Sequence, residues 1–303
     1  MLFIGCKSRE ERIDSITPDN VTEKFYWSTF ETETDTFYTV MFLPLNLDNV
    51  TKTYYAQLDI ASNYTILYQR NLQSITAYNY LHFDSLADAT NAYPLFRINS
   101  IEVNIGKLKF GKRNIRGYKN YGEPILSNKN ALVEENSIGT IGADIFQNKL
   151  LVINFPNQTI SVLDSSNADL ENYFSFEECK IRDSSILVPI VVNGKTLYFM
   201  YDTGSSLFPM ITSLSKWKEI TTQKINDTLN VSNWGNPVTM LGSNSSKNIK
   251  IGINSFTDFK VYYALDNYFD FQRMYCDGII GNALFLNKTI CIDYKTKRFG
   301  IAK

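Results

Sequence analysis

The sequence predicts an all-β protein built as two tandem lobes with a cleft between them. Three observations carry that expectation. Short apolar and aromatic runs, many of them alternating with polar residues, fill most of the chain. Three ordered blocks of the first half recur in the second at nearly constant spacing. In each half an apolar run delivers a carboxylate to a turn, Asp59 in the first and Asp202 in the second. The 303 residues, 44% hydrophobic and 20% charged, are enough for one large core or two medium ones.

Residues 1–23 are polar after Cys6 and read as a tether. The first lobe is expected over 24–165, opening with aromatic strands between Lys24 and Val40 around an acidic turn at Glu31–Asp35. Leu43–Leu47 and Thr53–Asp59 then form a hairpin, matched by Val188–Val192 and Thr196–Asp202 around Asn193-Gly194. Thr53, Tyr55, Asp59 and Ser62 correspond to Thr196, Tyr198, Asp202 and Ser205 at a constant offset of 143 residues. Val103–Leu108 pairs in the same way with Ile249–Asn254. Gly139-Thr140-Ile141-Gly142 and Gly278-Ile279-Ile280-Gly281 open the blocks that close each half. Repeats of this length are whole domains, since solenoid units run to roughly 20–50 residues. The seam is expected at Ser165–Ala168, the second lobe over 169–303, and a short helix at Ser213–Ile220.

Composition removes several classes of function. A net charge of -1 gives no electrostatic reason to expect nucleic acid or an anionic membrane surface. One histidine, His82, leaves no basis for His-ligated zinc and no motif for a Ser-His-Asp or Cys-His mechanism. Cys6, Cys179, Cys276 and Cys291 lack metal-like spacing and are too few for a disulfide scaffold. Chemistry, if the chain performs any, falls to carboxylates, hydroxyls and amides. No stretch approaches the ~18 apolar residues of a membrane-spanning helix.

Tyr201-Asp202-Thr203-Gly204-Ser205, together with the later apolar-apolar-Gly of each half, resembles the aspartic peptidases, the pepsin and retropepsin families. The resemblance covers roughly residues 25–303 and is closest at 196–206 and 277–294. It implies retropepsin-like β-barrel lobes in a pepsin-like bilobal arrangement, most similar to bacterial retropepsin-like proteins. Asp59 and Asp202 would share one proton and activate a water against a peptide carbonyl, with no metal and no cofactor. Thr203 would grip the opposite turn, Gly204 would allow close approach, and Ser205 would donate to the outer oxygen of Asp202. Ser62 is the matching support in the first half. The substrate would be an extended polypeptide held between the lobes of a monomer.

The first turn departs from that pattern, reading Asp59-Ile60-Ala61-Ser62. Ile60 has no hydroxyl, and Ala61 adds a methyl where the turns meet. This drier setting makes Asp59 the expected protonated partner. A catalytically inactive binding or scaffold protein is therefore the alternative, with each aspartate merely capping its turn. The loop expected to cover the cleft is not evident in the first half, because Tyr78–Asn99 lacks glycine. The second half offers Trp234-Gly235-Asn236-Pro237 and Leu241-Gly242-Ser243.

Phe3-Ile4-Gly5-Cys6 is similar to the end of a bacterial lipoprotein signal, although Phe3 stands where leucine is usual. The charged and most of the apolar parts of such a signal are missing, which places the expected start upstream of Met1. The resemblance implies an acylated Cys6 and attachment at the cell envelope, periplasmic or outer-membrane. A cytoplasmic location is the alternative.

Overall fold

A computed structural model describes residues 21–33, 35–47, 50, 52–75, 83–86, 94–125, 132–164 and 170–303. Cys6, His82 and the seam at 165–168 lie outside the described residues, as do 78–82 and 87–93 of the loop weighed above. The described residues are mostly β, consistent with an all-β chain, and their strands lie in three sheets. The first half supplies β1 (Thr22–Lys24), β2 (Tyr26–Glu31), β3 (Thr36–Leu47), β4 (Tyr54–Leu58), β5 (Ile66–Tyr68) and β6 (Phe83–Ser85). It continues with β7 (Leu95–Ile105), β8 (Leu108–Tyr118), β9 (Ser137–Ile141), β10 (Lys149–Asn154) and β11 (Thr159–Asp164). The second half supplies β12 (Phe174–Glu178), β13 (Lys180–Arg182), β14 (Ser185–Val192), β15 (Lys195–Asp202), β16 (Met210–Thr212) and β17 (Asp227–Asn233). It ends with β18 (Asn236–Asn244), β19 (Ile249–Ile251), β20 (Asn254–Phe256), β21 (Lys260–Ala264), β22 (Gly278–Gly281), β23 (Thr289–Asp293) and β24 (Arg298–Ala302).

The sequence repeat is also a repeat of strand pairing. One sheet runs β2-β3-β4-β9-β5-β8-β7-β6 and another β20-β19-β14-β15-β22-β16-β21-β18-β17, so the run β3-β4-β9-β5-β8-β7-β6 matches β14-β15-β22-β16-β21-β18-β17. Both contain the same two parallel contacts, β4 with β9 and β5 with β8 in the first, β15 with β22 and β16 with β21 in the second. Asp59 and Asp202 therefore end equivalent strands, each beside the apolar-apolar-Gly strand of its own half. The expected helix is present as Leu214–Ile220, with the Ser213 side chain accepting from the Lys216 N–H at its start.

The strands that close each half meet in a sheet of their own. Its order, β1-β11-β10-β23-β24-β12, is symmetric about the antiparallel pair β10–β23. Thr22 and Glu23, expected as the end of the tether, belong to its edge strand. The composition of β10 explains its central place. Leu150-Leu151-Val152-Ile153 is a continuous apolar run, suited to a strand covered on both faces. Leu151 and Ile153 pack into the main core, while Leu150 and Val152 pack with Leu170, Phe174 and Cys291 on the other face. The main core draws on both halves, from Leu43 and Phe146 to Phe199 and Phe285. Among the described residues no helix is long and apolar enough to cross a membrane.

Because that core is common, both halves are expected to unfold together. Leu151→Ala should cost about 2–5 kcal/mol and shift a single denaturation transition observed by circular dichroism and by tryptophan fluorescence. Two transitions, with only one displaced, would show that the halves unfold separately.

Candidate active site

Each carboxylate is placed by a short strand and held by the turn that follows. β15 pairs in parallel with β22 so that Asp202 stands opposite Gly281. In the first half the Asp59 N–H donates to the Ile141 carbonyl at 3.0 Å. The glycines after the apolar pairs are required by space. A Cβ on Gly281 would lie 1.9 Å from the Ser205 carbonyl oxygen, and one on Gly142 would lie 2.4 Å from the Tyr64 carbonyl. The apolar-apolar-Gly blocks thus let each aspartate turn rest directly on the strand beside it.

The two turns bring their carboxylates together. Asp59 and Asp202 face each other closely enough to shift each other's titration, and the Asp202 charge helps to raise the Asp59 carboxyl. Gly204 lies against the pair: a Cβ there would stand 2.9 Å from the Asp59 carboxyl carbon and 3.0 Å from an Asp202 oxygen. The Thr203 hydroxyl reaches across, donating to the Leu58 carbonyl at 2.9 Å and accepting from the Ile60 N–H at 3.0 Å. Ile60, fully buried, has no hydroxyl to return the contact, so the grip is one-sided.

The surroundings of the two acids differ. Asp202 accepts from the Gly204 N–H at 2.7 Å and from the Ser205 hydroxyl at 2.8 Å, both of which favour its ionised form. Among the described residues Asp59 accepts from the backbone N–H groups of Ala61 and Ser62, at 3.1 and 3.0 Å. The Ser62 hydroxyl turns away and donates to the Tyr64 carbonyl, so Ser62 supports its aspartate through the main chain alone. Desolvation raises both acids. At Asp59, desolvation and the neighbouring Asp202 charge push the carboxyl up to about 8. Asp202 rises by desolvation too, opposed by its hydrogen bonds.

Two polar supports escaped sequence reasoning. Beneath the second turn, the Tyr201 hydroxyl donates to Asn282 Oδ1 at 2.7 Å. Asn282 Nδ2 donates in turn to the Thr203 carbonyl and to Ser206 Oγ, at 3.1 and 2.8 Å. The first half has Leu58 and Ala143 at the matching positions, so a polar residue opposite an apolar one was the available signal. There a different clamp serves: Asp144 accepts from the Thr65 N–H and hydroxyl, both at 2.8 Å, and the Gly142 N–H donates to that hydroxyl.

Both acids open into a cleft of about 1060 Å³ with a largely apolar wall that includes Ile66, Met200, Phe208 and Ile279. The β17–β18 hairpin projects over it, its turn formed at Trp234 and Gly235 with positive φ. Trp234 packs against Tyr68, Tyr118 and Tyr121 of the first half, with ring centroids 5.7–6.5 Å apart. Comparison with family models gives no match for the chain, and comparison with curated proteins gives none either.

The raised carboxyls tie stability to pH. Between the ordinary 3.8 and about 8 the folded protein holds a proton on Asp59 that the unfolded chain has released. Stability from this source is therefore present in acid and declines as pH rises through that window. Chemical denaturation across pH should show the decline, and Asp59→Asn should flatten it. Thr203→Val, which removes both cross-turn bonds, should cost about 1–3 kcal/mol in the same measurement.

Proposed function

We propose that the chain is an aspartic endopeptidase that hydrolyses peptide bonds with a water activated between Asp59 and Asp202. The reading includes the two-lobed, duplicated arrangement of that family, each half contributing one acid. The observation that carries it is the pair itself, two desolvated carboxylates facing each other at the floor of an open cleft. Asp202, with the fuller set of donors, is the ionised partner and takes the proton of the attacking water. Asp59 is the protonated partner and donates to the oxygen that develops charge on the carbonyl. The roles then reverse as the amine leaves. An extended polypeptide fits the long apolar cleft, with Trp234 and its hairpin above. Attachment at the cell envelope through a lipid on Cys6 belongs to the same proposal and would be read from the mass of the native N-terminus.

The one-sided grip favours a second reading, a peptide-binding protein on the same framework that no longer cleaves. The same assay separates them. Incubated with a mixed peptide library, the protein should cleave, Asp202→Asn should abolish cleavage and Asp59→Asn should nearly do so. Ile60→Thr should preserve or raise the rate by returning the missing grip. Cleavage should fall as pH rises past about 8, where Asp59 loses its proton. Binding without cleavage by the unmodified protein would support the second reading. Undiminished cleavage by Asp59→Asn would overturn the dyad.

A further inference from the structure

The hairpin β7–β8 carries a charge that the rest of the first half does not share. Lys107, Lys109, Lys112, Arg113 and Arg116 fall within ten residues that contain no acid. None of them takes part in an ion pair among the described residues. Strand register sets where they point. Lys109 stands opposite Asn104, Lys112 opposite Glu102, and Arg116 opposite Arg97. Lys109, Lys112 and Arg116 therefore share the face opposite the one that buries Val103, Ile105 and Ile115. Arg113 pairs with Ile101 in the ladder, and its Nε donates to the Phe110 carbonyl.

Two cations directly opposed across a ladder repel. Internal compensation for Arg97 and Arg116 is thin. Arg97 lies 4.0 Å from Asp84, and its buried Nε has no hydrogen-bond partner. Arg116 rests on the exposed ring of Tyr64, 3.3 Å from its centre. Glu102 is the one acid within β7–β8. Strand β1 is close by: the Glu23 carboxylate accepts from the Lys107 N–H at 2.8 Å. β1, at the edge of the shared sheet, therefore meets the β7–β8 turn at Lys107.

We infer that the outer face of β7–β8, with Tyr64 at its margin, is a docking surface for an anionic phospholipid bilayer. Headgroup phosphates supply the counter-charge that the fold withholds, and a tyrosine ring suits the same interfacial depth. The inference does not depend on the dyad. It gives the body of the protein a preferred side toward the membrane, the side that carries β1 beside the β7–β8 turn.

The full chain, without lipid, is to be sedimented with vesicles of phosphatidylcholine alone or of phosphatidylcholine mixed with phosphatidylglycerol. Binding is expected to the mixed vesicles only and to weaken as salt rises. The triple variant Lys109→Glu, Lys112→Glu and Arg116→Glu should lose binding about a hundredfold, from roughly 1 kcal/mol per cation at an anionic surface. Lys218→Glu, Lys224→Glu and Lys250→Glu change net charge equally on exposed positions of the second half and should leave most binding intact. Circular dichroism establishes that both variants are folded. Equal loss in the two variants, equal binding to both vesicles, or no binding at low salt would overturn the inference. Retention by an RNA oligonucleotide in preference to vesicles would overturn it as well.

Discussion

Two carboxylates removed from water within hydrogen-bonding reach of each other cannot both be charged, and the rest of the site depends on that constraint. Each acid alone, buried and ionised, would be costly. Holding a proton removes that cost, and burial raises both carboxyls toward the protonated form. Gly204 sits in the gap, Thr203 ties the two turns, and Gly142 and Gly281 let each turn rest on its neighbouring strand. A methyl added at Gly204 would wedge the carboxylates apart. Sub-ångström placement is what separates a proton-sharing pair from two independent buried acids.

The spacing is fixed far below the carboxylates. β10 and β23 pair at the centre of a sheet shared by both halves, so neither half can shift without breaking a continuous ladder and a common core. This rigid base and the Thr203 bridge hold the two turns from opposite sides. The β17–β18 hairpin, by contrast, extends past its partner strand β21 and meets the first half mainly through one indole among three tyrosines. The site thus has a floor tied into a shared sheet and core and a roof that meets the first half through one aromatic cluster.

Much of this was legible in the sequence because a duplication reports its own fold. Residues matched at constant offset were expected on equivalent strands, and the expectation that Asp59 and Asp202 meet came from the resemblance to aspartic peptidases. Ser205 and Thr203 make the contacts that the resemblance implied. What was not legible depends on contacts between elements far apart in the chain. Nothing local in Leu150–Ile153 says that its partner is the corresponding strand of the other half. Nor does the Ser62 letter reveal that its hydroxyl prefers the Tyr64 carbonyl over Asp59. Tyr201 and Asn282 could have been noticed as polar residues facing Leu58 and Ala143 in the repeat. Trp234 was recognised only as a turn candidate, because the tyrosines it meets lie more than a hundred residues away.

The divergence of the first turn then follows from how the two turns are supported. The second rests on a buried polar chain, Tyr201 to Asn282 to the Thr203 carbonyl, which orients the threonine whose hydroxyl serves both turns. Once one threonine supplies a donor to Leu58 and an acceptor for Ile60, the first turn can lose its own hydroxyl without leaving the Ile60 N–H unpaired. Ile60 then fills apolar volume instead, and the Thr65–Asp144 clamp takes over the local anchoring. The same exchange strips Asp59 of side-chain donors and leaves it the drier acid of the pair. Asymmetry in the grip and asymmetry around the acids coincide: side-chain support stands on the Asp202 side, and Asp59 is left with backbone donors.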